Sequence, residues 1–408
     1  MCNYSVKSFI LEDGERYCVL IDKETSKPLF YPNMYLTAMV RNRAHSVTTM
    51  EAVAKNLGLL QSFLDSKDIN VADRILAKKF LTTYEIDELI QHMGKSHSIR
   101  KVVHIKKVIK GTVKNQTKYS RVTTVSSYLK WLCEHLLTGD YECRDKSLKF
   151  IVSIKERRPK INNDNNFYTN EPKALDEEQI IKLFNNLKPG AELNPFSEDV
   201  QLRNELIITM LYSFGIRAGE LLNLRISDFD FEKKTLRIIR RHDDKFDSRV
   251  SQPLVKTLNR DLFFDGWLEE RIYKYIVNDR QSNIGENKHD FLFICHGKKS
   301  KSSGLPLTIS AYEKIIMKIK SIDQVLNNFS GHQLRHTWNY DFSKEAEKSL
   351  DRDWKLNTEQ VRSYLMGWSP NSETVKVYNQ RFNKQQSDLM MKNIQLKIKR
   401  IIKGEKND

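Results

Sequence analysis

Gly331-His332-Gln333-Leu334-Arg335-His336-Thr337-Trp338, followed by Met366-Gly367-Trp368 and then by Tyr378, gathers imidazoles, a guanidinium, indoles and a phenol in one short reach of chain. His332 and Arg335 stand in an i, i+3 relation, so on a helix both side chains leave the same face one turn apart. A planar guanidinium fork matches two phosphate oxygens, and an imidazole adds a further donor without needing to be charged. What such a site lacks is a nucleophile, and Tyr378 is the candidate. Taken alone, the four residues from His332 to Arg335 are better read as a helix with a core histidine and a surface arginine. The phosphate reading requires a second arginine and a lysine from elsewhere in the chain.

The length, 408 residues, exceeds one ordinary core and predicts two or more domains. Lys and Arg total 68 against 52 Asp and Glu, for a formal charge of +16. That balance favours a polyanionic partner, nucleic acid or an acidic membrane surface. A hydrophobic share of 39% with well-patterned apolar stretches excludes a disordered basic tail. Cys2, Cys18, Cys133, Cys143 and Cys295 are odd in number and far apart, with no Cys-x-x-Cys pair and no histidine pair at zinc spacing, so we expect reduced thiols in a reducing compartment. Neither a secretory leader nor a membrane span is legible. The expectation is a soluble, cytoplasmic, DNA-associated bacterial protein.

Along the chain, residues 5–36 alternate apolar and polar around Glu12-Asp13-Gly14-Glu15, where Asp-Gly marks a hairpin turn, and Leu29-Phe30-Tyr31 reads as a further strand. We read residues 1–45 as a small β-rich segment serving as a structural lid rather than a DNA contact. From Thr48 the period becomes helical: Met50, Val53, Leu57, Leu60 and Leu64 share a face, and Thr48-x-x-Glu51 reads as the starting capping box. A second helix is expected over Tyr84 to Met93, and Ser98 to Leu137 as helix in two parts broken near Gly111. Arg100, Lys101, Lys106, Lys107, Lys110, Lys114, Lys118 and Arg121 surround the apolar stripe there. Residues 46–154 thus read as a helical domain whose basic faces meet DNA phosphates. The polar, basic run over 155–173 reads as a linker, and Asp176 as the cap of a new helix through Ile180, Leu183, Phe184 and Leu187.

The second arginine follows. An apolar helix from Leu202 to Phe214 stops at Gly215, and Arg217-Ala218-Gly219-Glu220-Leu221 begins the next element, with Glu220 one turn from Arg217 and able to hold it. Phe229 to Arg240 reads as a hairpin continuing past Lys245 to Pro253. These parts resemble the tyrosine recombinase, or phage integrase, family. Arg217 to Leu221 matches the first arginine box, Lys245 the β-hairpin lysine, His332-Gln333-Leu334-Arg335-His336 the second box, Gly367-Trp368 the His-or-Trp position, and Tyr378 the nucleophile. The match runs in order from about residue 174 to 385, and the preceding helices resemble the family's core-binding domain more loosely. Two departures are visible: the step from Trp368 to Tyr378 is one residue longer than usual, and Lys245 lacks flanking glycines, having Arg241 and Arg249 about it instead.

The resemblance implies a mainly α fold with small β-sheets (α+β), made of a helical core-binding domain and a catalytic domain over 174–385, with residues 386–408 forming an amphipathic tail. It implies a site-specific DNA recombinase that cuts and rejoins strands through a 3′-phosphotyrosine and a Holliday junction, for a mobile element. Arg217 and Arg335, with His332 and Trp368, would neutralise the phosphate; Lys245 would protonate the departing 5′-oxygen; Tyr378 would attack; Glu220 and His336 would support. No cofactor or metal is expected. The expected partners are double-stranded DNA, four copies of the chain on paired sites, accessory DNA-bending or directionality proteins, and no membrane. A type IB topoisomerase-like nicking-closing enzyme and a DNA-binding regulator with a decayed site are the rivals.

Overall fold

The computed structural model describes residues 3–96, 111–161, 174–297, 301–348 and 352–368. Arg100, Lys101, Lys106, Lys107, Lys110, Tyr378 and the 386–408 tail lie outside them. The chain forms two compact units, Met1–Phe167 and Tyr168–Asp408.

In the first unit, β1 (Tyr4–Ile10) and β2 (Arg16–Asp22) pair antiparallel from Tyr4 opposite Asp22 to Ile10 opposite Arg16. The turn rests on Gly14, whose φ of 91° suits a residue without a Cβ. The strands do not stand alone: both lie against the helix over Val47–Asp65, burying Cys18 and Leu20 in its core. Where a third strand was expected, the chain forms helix α1 (Phe30–Tyr35) after an extended Leu29. Pro32 sits in the first helical turn, where its missing N–H would have had no partner in any case. Tyr35 then reaches Tyr128 and Trp131 edge-on, at 5.4 Å between ring centroids in each case.

Helix α2 (Val47–Asp65) begins two residues earlier than the Thr48 reading implies, because the Ser46 hydroxyl accepts from the Thr49 N–H at 3.3 Å. Glu51, assigned to the capping box from sequence, accepts instead from the Ser8 hydroxyl of β1 at 2.5 Å. After it come α3 (Val71–Leu76), α4 (Thr83–Gly94), α5 (Asn115–Leu136) and α6 (Tyr141–Glu156), so Lys155 and Glu156 end a helix rather than begin a linker. Met50, Leu57, Leu60, Leu89, Val122 and Leu129 form the core where α2, α4 and α5 meet. Burial raises the thiols of Cys18 and Cys133, each to about 12.

The second unit opens with α7 (Glu177–Leu187), capped reciprocally by Asp176 and Gln179, and α8 (Glu198–Phe214). Helix α8 ends at Gly215 in the left-handed region, φ 60°. A Cβ there would stand 2.8 Å from Trp338 Cγ and 2.9 Å from Met366 Cε, so the stop and the close approach both require glycine. Helix α9 (Ala218–Leu221) leads into a three-stranded antiparallel sheet of β3 (Phe229–Asp230), β4 (Thr235–Ile238) and β5 (Arg260–Phe263). The expected hairpin is there but shorter: the chain leaves the sheet after Ile238 and returns at Arg260, which faces Ile238, so Lys245 rides on the long connection and not on a strand. Then come α10 (Gly266–Lys274), α11 (Gln281–Ile284), α12 (Ile309–Lys320), α13 (Gly331–Lys348) and α14 (Arg352–Met366). Helix α8, buried all round from Arg203 to Leu211, is the centre of this core, and α13 lies against both α8 and α14. No helix among the described residues is long and apolar enough to cross a membrane.

The cap geometry predicts that Ser46→Ala costs about 1 kcal/mol of unfolding free energy. Thr48→Ala, at an exposed position beyond the cap, stays within a few tenths; paired denaturant titrations check the difference.

Candidate catalytic site

Arg335 leaves α13 on its buried side and is 0% exposed. Its Nη1 donates to the Gly215 carbonyl at 2.7 Å and its Nη2 to the Met366 carbonyl at 3.0 Å. One guanidinium thereby joins the residue two before Arg217 to the residue two before Trp368, and it lies over the Trp368 ring at 5.7 Å. Trp368 itself is 5% exposed and shares its small cluster with Met366. His332, one turn before Arg335, is exposed, and its ring meets His336 edge-on at 4.8 Å. The i, i+3 relation therefore places the two at one end of the helix but at different depths, because the longer arginine folds under it.

Arg217 caps the short α9, with its backbone N–H donating to Glu220 Oε2 at 2.8 Å. Its side chain is 29% exposed, and Nη1 stands 4.0 Å from Glu220 Oε1. That Nη1 is buried and takes no hydrogen bond. Glu220 is spent elsewhere. Its carboxylate is fully buried, pairs with Arg260 Nη2 at 3.1 Å, and accepts from the Thr257 hydroxyl. Burial pushes the Glu220 carboxyl up, but the Arg260 charge and hydrogen bonds, with the Thr257 hydroxyl and the charge of Arg335, more than offset it, and the net shift is below the ordinary value. Arg260 also donates through Nε to the Leu365 carbonyl at 2.7 Å. Close by, the Leu258 N–H donates to the Gly367 carbonyl at 3.1 Å. Gly367 is again left-handed, φ 62°, and a Cβ on it would stand 2.6 Å from Arg260 Nη1.

Sequence reasoning missed Arg260. Its only sequence signal is indirect: a carboxylate as deeply placed as Glu220 requires a cation, and one arginine that must face a substrate cannot serve alone. Lys245 is exposed, with its Nζ 5.1 Å from the centroid of the exposed Phe246 ring. Among the basic residues of the first unit, Lys114 is exposed at the start of α5, while Lys118 lays its stem beside Gly94. Arg121 is committed to the fold: its Nη1 donates to the Met93 and Lys95 carbonyls at 2.8 and 2.9 Å, closing the end of α4.

Residues 173–385 match the model described as the phage integrase family. The chain is 22% identical over 312 residues to tyrosine recombinase XerC of Pediococcus pentosaceus, spanning 74% of this chain and 80% of that one. It is 23% identical over 328 residues to transposase A from transposon Tn554 of Staphylococcus aureus, covering 78% and 81%. Among solved structures it resembles XerH site-specific recombinase bound to a palindromic difH substrate, with 17% identity, a TM-score of 0.49, and 87% and 83% of the two chains covered.

Removing the Glu220 charge strands Arg260 in the interior. Glu220→Gln is expected to lose about 3–5 kcal/mol at neutral pH. Because the folded carboxyl lies below its ordinary 4.5, its contribution is complete above that pH and vanishes as pH falls through the lower folded value. The unfolding free energies of wild type and variant should therefore converge on acidification below 4.5, as measured by denaturant titration at stepped pH.

Proposed function

The chain belongs to the phage integrase family, and from that premise we propose that Arg217, Lys245, His332, Arg335, Trp368 and Tyr378 form the active site of its DNA strand-exchange chemistry. The enzyme is a tyrosine-type site-specific recombinase. It cuts and rejoins DNA strands through a 3′-phosphotyrosyl intermediate and a Holliday junction. Its likeness to a transposase supports service to a mobile element.

The observation that carries the assignment is the Arg335 guanidinium, which ties the segments bearing Arg217 and Trp368 to each other. A phosphodiester is a poor electrophile and a phenol with pKa near 10 a weak nucleophile, so position and charge must supply the acceleration. Arg217, with its Nη1 held beside Glu220 and the rest of its fork partly exposed, is placed to receive a non-bridging oxygen. Arg335 supplies a second positive charge from the interior, its two Nη atoms donating to backbone carbonyls, and the exposed His332 a further donor. Each such donor is worth on the order of 3 kcal/mol as charge builds on the pentacoordinate phosphorus.

The phenolic oxygen of Tyr378 bonds to phosphorus and its proton passes to water; the bond to the 5′-oxygen breaks, and the Lys245 ammonium gives that oxygen a proton. The products are a 3′-phosphotyrosine and a free 5′-hydroxyl. In the reverse sense a 5′-hydroxyl of the partner strand attacks the phosphotyrosine, returning its proton to Lys245, and the departing phenolate of Tyr378 takes a proton from water. The phosphoester is conserved throughout, so no nucleotide is consumed. The first unit supplies further phosphate contacts through exposed basic residues such as Lys114, and four protomers act on two paired segments.

Incubation with nicked duplexes from the ends of its own element should give a covalent protein–DNA adduct on a denaturing gel, absent in Tyr378→Phe although that variant still binds. No adduct on bound DNA would favour a regulator on this fold, and one surviving the substitution would place the nucleophile elsewhere. Binding should also weaken by orders of magnitude (10³–10⁵) between about 50 and 200 mM salt if several basic residues meet phosphate. A flat response removes the contacts assigned to the first unit.

A further inference from the structure

The connection between β4 and β5 holds an arrangement that the exposed lysine on it does not by itself explain. Three guanidinium–carboxylate pairs fasten it on either side of Lys245. Before the lysine, Arg241 grips Asp228 with both Nη atoms, Nη1 at 3.1 Å from Oδ2. Next to the lysine, Asp244 pairs through Oδ2 with Arg225. After it, Arg249 holds Asp247 through Nε at 2.9 Å and Nη2 at 2.8 Å, and donates through Nη1 to the Leu222 and Leu307 carbonyls at 3.0 and 2.7 Å. Arg225 and Arg249 both stack on Phe291, with Cζ 5.0 and 4.6 Å from its centroid. Leu222 directly follows α9, so this network anchors the lysine's loop to the stretch that begins with Arg217.

A solvated surface loop gains little from such pairs. Taking charges out of water is costly before the pairing offsets it, and the Asp247 side chain is 0% exposed and that of Asp228 only 2%. The lysine stem meanwhile has many rotamers, so a proton donor on it works only if its backbone root is fixed. Asp244 is where the two facts meet. Its Oδ2 takes the Arg225 charge while its Oδ1 accepts the Phe246 N–H at 3.0 Å, and its carbonyl accepts from the Asp247 N–H at 3.0 Å. One carboxylate thus links the framework to the turn that carries Lys245, and the Phe246 ring beneath the ammonium narrows its reach further.

We propose that Asp244, clasped by Arg225, is a positioning residue that aims Lys245 at the departing 5′-oxygen, with Asp228–Arg241 and Asp247–Arg249 fixing the two ends of its loop. This rests on the assignment of Lys245 as the general acid.

The test replaces the scissile 5′-bridging oxygen of a nicked duplex with sulfur, a leaving group that needs no proton. Full-length wild type, Lys245→Ala, Asp244→Asn and Arg225→Lys are compared on oxygen and sulfur substrates, with DNA affinity and thermal unfolding recorded for each. Asn keeps an acceptor for the Phe246 N–H but loses the charge that Arg225 holds, and Arg225→Lys weakens the same pair from its other side. The expectation is that Asp244→Asn cleaves the oxygen substrate at least tenfold more slowly than wild type, binds DNA as tightly, and regains near-wild-type cleavage on the sulfur substrate, as does Arg225→Lys. If Lys245→Ala is restored by sulfur but the two clasp variants are equally slow on both substrates, or are not slow at all, the clasp is structural only and the inference falls alone. If Lys245→Ala is not restored, the general-acid assignment falls and takes the inference with it.

Discussion

The catalytic unit depends on a cation that is wholly out of water. Arg335 satisfies a carbonyl at the left-handed end of α8 and another at the end of α14, two helix termini that would otherwise meet with unpaired acceptors in the interior. A buried guanidinium is expensive, and the fixed dipoles of these two carbonyls help to stabilise it, with Glu220 contributing its charge. Another buried cation, Arg260, repeats the device with a carboxylate and a carbonyl. Between them these two side chains determine where Arg217 and Trp368 can be.

How much of this is legible in the sequence depends on range. Helix α4, the capping of α7 by Asp176 and the stop at Gly215 are local, set by residues within a turn of each other, and periodicity and capping rules reach them. The start of α2 was misplaced because Ser46 and Thr48 are chemically alike, and only the tertiary bond from Ser8 to Glu51 removes the second candidate. Leu29-Phe30-Tyr31 looked like strand because its residues have high β propensity; packing of Tyr35 on Tyr128 and Trp131, far along the chain, overrides that preference. The residues proposed for chemistry were visible through order and resemblance, whereas Arg260 and the Arg225–Asp244 pair were not. Side chains that hold other side chains carry no motif of their own, since their partners lie tens of residues away.

Charge has separate duties in the two units. Of the basic residues of α5 and the segment leading into it, Arg121 closes a helix end, and its burial lowers its pKa. Counting cations in a sequence therefore overstates the number that face phosphate, even on a chain with a formal charge of +16. In the catalytic unit the same holds more strongly: Arg203, Arg249, Arg260, Arg280 and Arg335 are all buried, each with a hydrogen bond to a backbone carbonyl. Guanidinium serves here as an interior cross-link because its planar fork reaches two or three acceptors at once.

The double employment of Arg335 bears on how such a chain would age. A descendant released from its chemistry would drift first at positions whose loss leaves the core intact, and exposed Lys245 is one of these. Arg335 would be retained long afterwards, because without it two helix termini lose their donor. An arginine at this place thus reports ancestry and foldedness, while the exposed lysine is the better witness to whether the machine still runs.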